Sequence, residues 1–420
     1  MIAAMKITDI RSMRLYGPLL HGQGGETGGE IGKVIVRVDT DAGIYGLGEA
    51  DDFAGVRQAL DYMKHYFLGR DPMDAVPIVS EVMWATLPPH PPNAPTGTRG
   101  DQIMMVPSSS PTAIPLGPVA WAASGLDIAL MDLVGKALNA PAYTLLGGRF
   151  RDRARGYLDR SSPADVADLD AWRAMGAGAA EAGFSHIKFD IDYVAMDRTG
   201  DLWNRTFSLA QINRMVERLG VVRDEVGPDF ELSVDLHRQY NVPDAIRIAN
   251  ALADLDLLWL EDPVSDISVD AYAEVRARSP IAICAGEMFI AEQFAHFIDG
   301  GAVDILHPDV LFCGGMHEMK RIADYGDLHR LPLAMHGNGG SIAAIAAAHV
   351  AAASRNFLGL EYHFIETPWI GSYARRVGAA AGAGLFEDGA IVLSDAPGLG
   401  IELDREVCRA NLARGQSLFD

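Results

Sequence analysis

The sequence predicts an α/β protein, namely a parallel (β/α) barrel preceded by a smaller α+β domain. Three strand-like runs each end on an acid, and 26 residues separate each acid from the next. A strand, a turn, a helix of about three turns and a return loop together take roughly 25 residues, which is one βα unit. The spacing therefore predicts three successive parallel strands with a carboxylate at each C-terminal end. The runs are 230–235, 257–261 and 281–287, which end on Asp235, Glu261 and Glu287.

The same period extends on both sides of these runs. Downstream of Glu287, three more apolar runs end on titratable residues at steps of 22, 27 and 25 residues. Upstream, two shorter runs have strand character, and helical patterns lie between the strands. We therefore predict that the barrel occupies residues 139–384. Its further strands are 155–158, 186–190 and the runs ending on Asp309, His336 and Glu361, with helices at 164–182 and 208–226.

The N-terminal part of the chain lacks the barrel period. Residues 5–50 alternate like antiparallel strands, with a turn at 41–43. Helical patterns follow at 55–84, with a break at 69–72, and at 119–138. Strands and helices without βα alternation indicate a separate α+β domain, which we place at 1–138.

Three further segments fit neither the barrel period nor the N-terminal pattern of strands and helices. Residues 85–118 contain nine prolines and no periodic pattern, and 191–207 interrupts the barrel. We interpret both as loops near the site, because long irregular loops in compact domains are usually functional or disordered. Residues 385–420 carry the turn pairs Asp388-Gly389 and Pro397-Gly398, and we expect them to return to the first domain.

Composition excludes several classes of protein. The net charge of −21 argues against nucleic acid and against anionic membrane surfaces as partners. An acidic substrate stays possible, because a bound cation inverts the local field. Three scattered cysteines indicate a reducing cytoplasm without a disulfide framework, and the N-terminus lacks a signal-peptide pattern. The Ala-rich run 342–353 is too short to span a bilayer, so we interpret it as a packed helix.

The three regularly spaced acids predict a metal site. In a (β/α) barrel the C-terminal ends of the strands form the active-site face. Carboxylates of Asp235, Glu261 and Glu287 brought together there repel each other unless a cation joins them. Oxygen-only ligands favour Mg²⁺ before Ca²⁺. The alternative is that the acids cap the following helices, which is common for one acid and uncommon for three at equal spacing.

A metal of this kind acts as a Lewis acid on a carboxylate substrate. Removing the proton alpha to the carboxylate builds an enediolate, whose charge the cation stabilises by several kcal/mol. The base is expected to be His336, at a strand end before the glycine-rich 337–340. Asp309 ends the preceding strand and would fix the tautomer of the imidazole. The alternative for His336 is a hydrogen-bonded core histidine.

Several other residues are candidates for the same site. His237 follows Asp235 by two residues, so alternation places it on the same side if the strand persists, as an acid or as a metal-facing histidine. Lys188 would neutralise the substrate carboxylate, or pair with Asp190 or Glu361. Glu361 would polarise or bind the carboxylate, or be only the salt-bridge partner of Lys188. Further candidates for substrate contact are Asp190 and, in the glycine-rich loop 21–26, His21.

Seven motifs stand in a specific order and spacing along the barrel. They are Lys188-Phe189-Asp190, Val234-Asp235-Leu236-His237, Trp259-Leu260-Glu261-Asp262-Pro263, Ala285-Gly286-Glu287, His307-Pro308-Asp309, Gly314-Gly315 and His336. Taken together, these motifs resemble the enolase superfamily, mandelate racemase subgroup, over nearly the whole chain. The resemblance implies a modified (β/α)7β barrel, that is a modified TIM barrel, with an N-terminal α+β capping domain. It implies that Asp235, Glu261 and Glu287 bind Mg²⁺ and that His336 with Asp309 is the general base. It also implies a homo-oligomer, commonly a dimer or octamer.

One departure from the family pattern narrows the predicted reaction. Racemases of this subgroup usually carry Lys-x-Lys on the second strand, whereas Asp190 stands at the second lysine here. His237 is similar to the general acid of acid-sugar dehydratases. We therefore predict loss of water from an aldonate or aldarate, giving a 2-keto-3-deoxy acid. The alternatives are a cycloisomerase, epimerase or racemase of the same superfamily, and a sugar-acid-binding protein without activity.

Overall fold

The computed structural model describes residues 5–19, 29–83, 117–191, 206–365, 367–380 and 383–419. The N-terminal strands form an antiparallel sheet in the order β1-β2-β3. Val34, Val36 and Val38 of β2 pack on the neighbouring helices, whereas Ile35 points to the barrel side. Alternation along β2 thus gives one sheet two buried faces. The strands are β1 Ile7–Leu19, β2 Gly29–Thr40 and β3 Tyr45–Asp51.

Helices cover one face of this sheet. A Cβ on Gly46 would lie 1.9 Å from Ala129 O, and one on Gly48 would lie 2.2 Å from Gly125 O. Glycine in β3 therefore lets the helix Pro118–Leu138 approach closely. This helix is long and apolar enough to cross a membrane, but 83% of its apolar window is buried inside the protein. The other helices are Val56–Phe67 and Ala75–Met83, with a 3₁₀ turn at Pro72–Asp74.

Eight parallel strands close into a barrel, since β11 pairs with β4. Seven helices connect them within the described ranges, which confirms the (β/α)7β architecture. The strands are β4 Arg153–Arg160, β5 His186–Asp190, β6 Glu231–Asp235, β7 Trp259–Glu261, β8 Ile283–Ala285, β9 Ile305–Leu306, β10 Leu333–Met335 and β11 Phe357–Tyr362. The connecting helices are Leu169–Glu181, Leu209–Val226, Val242–Ala251, Val269–Arg278, Ala291–Asp299, Met316–Leu328 and Ser341–Ala353. Shorter helices are Ala142–Leu145 and the 3₁₀ turn Ala253–Leu255.

The register of the barrel aligns its acids. Asp190 pairs with Asp235, and Asp235 pairs with Glu261, so neighbouring strand ends lie level. The barrel interior below them includes the buried aromatic rings of Tyr157 and Trp259. Tyr157 stacks on His186 with ring centroids 4.6 Å apart, and Trp259 meets the His186 ring edge-on at 4.7 Å. Ligands of such barrels bind at the C-terminal mouth, above this packed interior.

One helix begins later than predicted. The helix predicted at 164–182 starts at Leu169, because the Asp168 side chain accepts hydrogen bonds from Asp170 N and Ala171 N and caps it there. Before it, Asp165 forms its own turn by accepting from Ala167 N. Side-chain capping of this kind competes with helix formation.

The C-terminal residues contact both parts of the molecule. β13 (Ala390–Val392) pairs antiparallel with β4 of the barrel, and β14 (Ile401–Leu403) pairs with β12 (Ala374–Arg376). The helix Arg405–Ala410 follows, and then Tyr16 N in β1 donates to Asn411 O at 2.7 Å. The chain end therefore lies against the N-terminal sheet as well as the barrel.

Candidate active site

The three regularly spaced acids meet at the barrel mouth. Asp235 and Glu261 are the last residues of β6 and β7, and Glu287 follows β8 by two residues. All three are buried, and one oxygen from each lies within 4.8 Å of the others. Gly286 has φ 116°, and a Cβ there would lie 2.4 Å from the Phe294 ring. Only glycine therefore fits the turn that brings Glu287 to the other acids.

The surroundings shift the pKa values of these acids in different directions. Burial and the charge of Glu261 raise the pKa of Asp235 well above its ordinary value. Burial also raises the pKa of Glu261, but His307 and Lys188 outweigh burial and lower it. Three buried carboxylate oxygens this close, whose mutual repulsion contributes to the raised pKa of Asp235, fit a hard divalent cation such as Mg²⁺.

His336 and Asp309 form a close pair on neighbouring strand ends. His336 Nδ1 lies 2.6 Å from Asp309 Oδ2, which also accepts from Asn338 N at 3.0 Å. Asp309 Oδ1 accepts from Leu311 N at 2.6 Å. His336 Nε2 consequently faces the acids and lies 3.1 Å from Glu287 Oε2. Burial lowers the pKa of His336, but Glu361 and Glu287 outweigh burial, so the pKa is raised.

Lys188 is buried among carboxylates. Its Nζ lies 2.8 Å from Glu261 and 3.0 Å from Glu361, and Asp159 and Asp235 follow at 3.5 and 3.6 Å. The side chain is only 1% exposed. This geometry favours the pairing of Lys188 with Glu361 over contact with a substrate carboxylate. Asp190 instead accepts from Ser161 Oγ at 3.2 Å.

Glu361 is anchored below the mouth. Its Oε2 accepts from Tyr157 OH at 2.6 Å and from Lys188 Nζ at 3.0 Å, and His307 Nε2 lies 3.2 Å away. Burial raises the pKa of Glu361, but Lys188 and His336 outweigh burial and hold it well below its ordinary value. Lys188 and His336 therefore stabilise the ionised form of Glu361, as the salt-bridge alternative requires.

His237 stands beside the acids but not through strand alternation. β6 ends at Asp235, and His237 has φ 46°, so a turn positions its side chain. Its Nε2 lies 3.4 Å from Asp235 Oδ2, and the side chain is 19% exposed. Arg238 donates to Glu287 Oε1 at 2.6 Å. Sequence reasoning missed Arg238, although a cation directly after a candidate histidine was a usable signal.

His363 is the second residue of the site, after Arg238, that sequence reasoning missed. Its Nδ1 lies 2.9 Å from Asp159 Oδ2, and its Nε2 lies 2.5 Å from Glu361 Oε1. Its ring centroid lies 5.6 Å from that of His336. Burial lowers the pKa of His363, but Asp159 and Glu361 outweigh burial and raise it to about 10. The available signal was its position two residues beyond Glu361, which repeats the spacing of His237 from Asp235.

The N-terminal sheet contacts the loop after His336 through Asn338. Lys33 Nζ donates to Asn338 O at 2.6 Å, and Asn338 Nδ2 donates to Asp51 Oδ2 at 2.9 Å. Nearby, Glu49 accepts from Gly340 N at 2.6 Å. These contacts hold the loop that follows His336. His21 lies outside the described residues, as do most of 85–118 and 191–207.

Comparisons with known proteins identify the family of this chain. Residues 25–147 match the mandelate racemase / muconate lactonizing enzyme N-terminal domain family, and residues 171–407 match the enolase C-terminal domain-like family. A D-xylonate dehydratase of Haloferax volcanii is 33% identical over 92% of this chain and 87% of its own. A D-galactarolactone cycloisomerase of Agrobacterium fabrum is 31% identical over 89% of both chains.

A solved structure shows the same fold. It is the mandelate racemase/muconate lactonizing enzyme-like protein of Rubrobacter xylanophilus, with a TM-score of 0.83, 32% identity and full coverage of both chains. The chain therefore belongs to the mandelate racemase subgroup of the enolase superfamily and is an enzyme.

Proposed function

We propose that this member of the mandelate racemase subgroup dehydrates an acid sugar, an aldonate or aldarate, to a 2-keto-3-deoxy acid. The observation that carries the proposal is the His336–Asp309 pair, in which the second imidazole nitrogen of His336 faces the three acids. Proton abstraction alpha to a carboxylate needs a positioned base and a group that stabilises the charge that develops. Both lie at the barrel mouth within one hydrogen-bond distance of each other, since His336 Nε2 and Glu287 Oε2 are 3.1 Å apart.

Asp235, Glu261 and Glu287 would hold Mg²⁺. Bound there, the ion would supply Lewis-acid stabilisation of the negative charge on the substrate carboxylate. Lys188 and Arg238 limit the repulsion among the acids, because Lys188 contacts Glu261 and Arg238 contacts Glu287. The side chain of Lys188 is 1% exposed, against 26% for Arg238. We therefore assign Lys188 to charge balance within the acid cluster and not to contact with the substrate.

His336 Nε2 would take the proton from C2 while Nδ1–H stays donated to Asp309. That hydrogen bond fixes the tautomer and stabilises the imidazolium that forms. Loss of the C2 proton leaves an enediolate. The C3–O bond then breaks, and a proton is delivered to the departing 3-hydroxyl so that it leaves as water. The enol product then tautomerises to the 2-keto acid.

His237 is the proposed donor of the second proton. It lies at the end of β6, which is four strands from β10 in the eight-stranded barrel, so it faces His336 across the mouth. Its side chain is 19% exposed, against 8% for His336. A donor opposite the base corresponds to anti elimination. His336 itself is the alternative donor, which corresponds to syn elimination.

A cycloisomerase is the second candidate, and the 31% identity to the D-galactarolactone cycloisomerase favours it. Such an enzyme would use the same base on a lactone substrate. Both candidate reactions would use the acids and the base of this chain, so substrate identity separates them.

The test is a screen of open-chain aldonates and aldarates, and of sugar-acid lactones, for 2-keto acid formation. Each reaction is run with Mg²⁺ and with a chelator. The proposal expects 2-keto acid from at least one open-chain acid, and loss of the signal with chelator. Turnover of lactones alone would favour the cycloisomerase. No turnover of any acid by folded, Mg²⁺-loaded protein would overturn the proposal.

A further inference from the structure

We propose that His336, Glu361 and His363 form a second divalent-metal site, which takes an imidazole-preferring ion such as Zn²⁺ or Co²⁺. The site adjoins the three acids but shares no side chain with them. It goes beyond the proposed dehydration and does not rest on it.

Three ligand atoms converge at this position. Nε2 of His336, Oε1 of Glu361 and Nε2 of His363 all lie within 4.8 Å of one another. The oxygen is 3.7 Å from the first nitrogen and 2.5 Å from the second. Ligand atoms around a tetrahedral Zn²⁺ with bonds of about 2.0–2.1 Å lie about 3.3 Å apart. Shifts of about 1 Å or less therefore place all three atoms at bonding distance from one ion.

The closest pair of these atoms is an ion pair without well-aligned hydrogen-bond geometry. Glu361 Oε1 and His363 Nε2 are both inaccessible to solvent, and neither has a hydrogen-bond partner among the described residues. They nevertheless lie 2.5 Å apart, so distance is not what prevents the bond. Glu361 is only 1% exposed. Two buried polar atoms that are close but misaligned with each other point towards a shared third atom.

The remaining atoms of each side chain are held as metal ligands usually are. Metal-binding imidazoles donate their other ring nitrogen to a carboxylate or carbonyl, which orients the ring. Here His336 Nδ1 lies 2.6 Å from Asp309, and His363 Nδ1 lies 2.9 Å from Asp159. The other oxygen of Glu361 accepts from Tyr157 and Lys188. All three ligands are thus oriented by partners that contact atoms other than the convergent ones.

The chemistry of the donors separates this site from the acid site. Two imidazole nitrogens and one carboxylate suit Zn²⁺, Co²⁺ or Fe²⁺, whereas oxygen-only sites suit Mg²⁺. The barrel mouth would therefore bind Mg²⁺ at the three acids and an imidazole-preferring ion at His336, Glu361 and His363. In the proposed dehydration His336 Nε2 takes the substrate proton, so an ion bound to it and turnover exclude each other. Only this mutual exclusion of metal binding and turnover depends on the proposed function.

The test measures metal binding without substrate. Metal-free protein receives excess Mg²⁺ and is then titrated with Co²⁺, followed by visible absorption and by ion content after gel filtration. The wild type is expected to retain one Co²⁺ per chain with the strong absorption of a nitrogen-containing site. His363→Gln is expected to retain none, whereas His329→Gln, which changes an exposed histidine, is expected to match the wild type.

A second variant guards against misfolding of the first. Asp159→Asn keeps all three ligands and is expected to weaken Co²⁺ binding by about 10–100-fold. Far-ultraviolet circular dichroism checks that each metal-free variant is folded. Complete displacement of Co²⁺ from the wild type by Mg²⁺ would overturn the proposal. So would unchanged affinity and absorption in both His363→Gln and Asp159→Asn.

Discussion

The two sides of the barrel mouth carry different chemistry on the same scaffold. On β6–β8, which we call the acid side, the strand ends present Asp235, Glu261 and Glu287. On β9–β11 together with β4, which we call the imidazole side, they present the pairs His336–Asp309 and His363–Asp159. Oxygens alone collect a hard cation, whereas an imidazole backed by a carboxylate exchanges a proton. The residue at a strand end, and not the fold around it, therefore decides what each side does.

The largest effect is expected from breaking the acid side. Glu261→Gln removes the central carboxylate, which Lys188 and His307 contact. We expect turnover to fall by about 10,000-fold or more, because charge stabilisation by a bound cation is worth several kcal/mol and each 1.36 kcal/mol is tenfold. Steady-state kinetics in excess Mg²⁺ measures the loss, and calorimetry measures Mg²⁺ affinity. Circular dichroism controls for folding, and full activity in this variant would show that Glu261 is not a ligand.

Breaking the imidazole side is expected to cost somewhat less. His336→Asn removes the proposed base, and a general base contributes about 100–10,000-fold to rate. We expect about a 1,000-fold loss of turnover and of C2-proton exchange with deuterated solvent. Mg²⁺ affinity should change by only a few fold, because the acid side is intact. A loss of Mg²⁺ affinity equal to that of Glu261→Gln would contradict the separation of the two sides.

His237 tests which side delivers the second proton. If the acid side supplies it, His237→Gln lowers dehydration by about 100-fold, within the range for general acids. C2-proton exchange should persist, because His336 is untouched. Nuclear magnetic resonance follows exchange and product in one sample. Unchanged dehydration in His237→Gln would assign the proton to His336 and make the elimination syn.

A histidine away from the mouth gives the smallest effect on activity. His349 accepts from Tyr143 N and contacts Leu399 O, both at 3.2 Å, and burial lowers its pKa from 6.5 to about 4. Between pH 6.5 and about 4, His349 is protonated in the unfolded chain and neutral in the folded chain. Stability is therefore lost as pH falls from about 6.5 to about 4, by about 3 kcal/mol in total.

Urea unfolding at a series of pH values measures this dependence, with His349→Gln as the control. The variant should show a flatter dependence in this window and near-normal turnover at neutral pH. Equal slopes in the two proteins would mean that His349 does not titrate there.

The period of the sequence predicted the barrel because each βα unit repeats its length along the chain. The same period identified the acids and His336 with Asp309, since parallel strand ends meet at one face. It did not predict the environment of Lys188, whose carboxylate contacts come from β4, β6, β7 and β11. His363 was missed for a related reason. Its partner Asp159 lies 204 positions earlier and becomes its neighbour only when β11 closes on β4.

The most direct test of the central claim is turnover of an acid-sugar substrate in deuterated water. The claim is that His336 removes the C2 proton and that the 3-hydroxyl then leaves. It predicts a 2-keto acid that carries solvent deuterium at C3, formed by the wild type and lost in His336→Asn. A product that keeps its 3-hydroxyl and carries deuterium at C2 would contradict the claim and identify an epimerase or racemase instead.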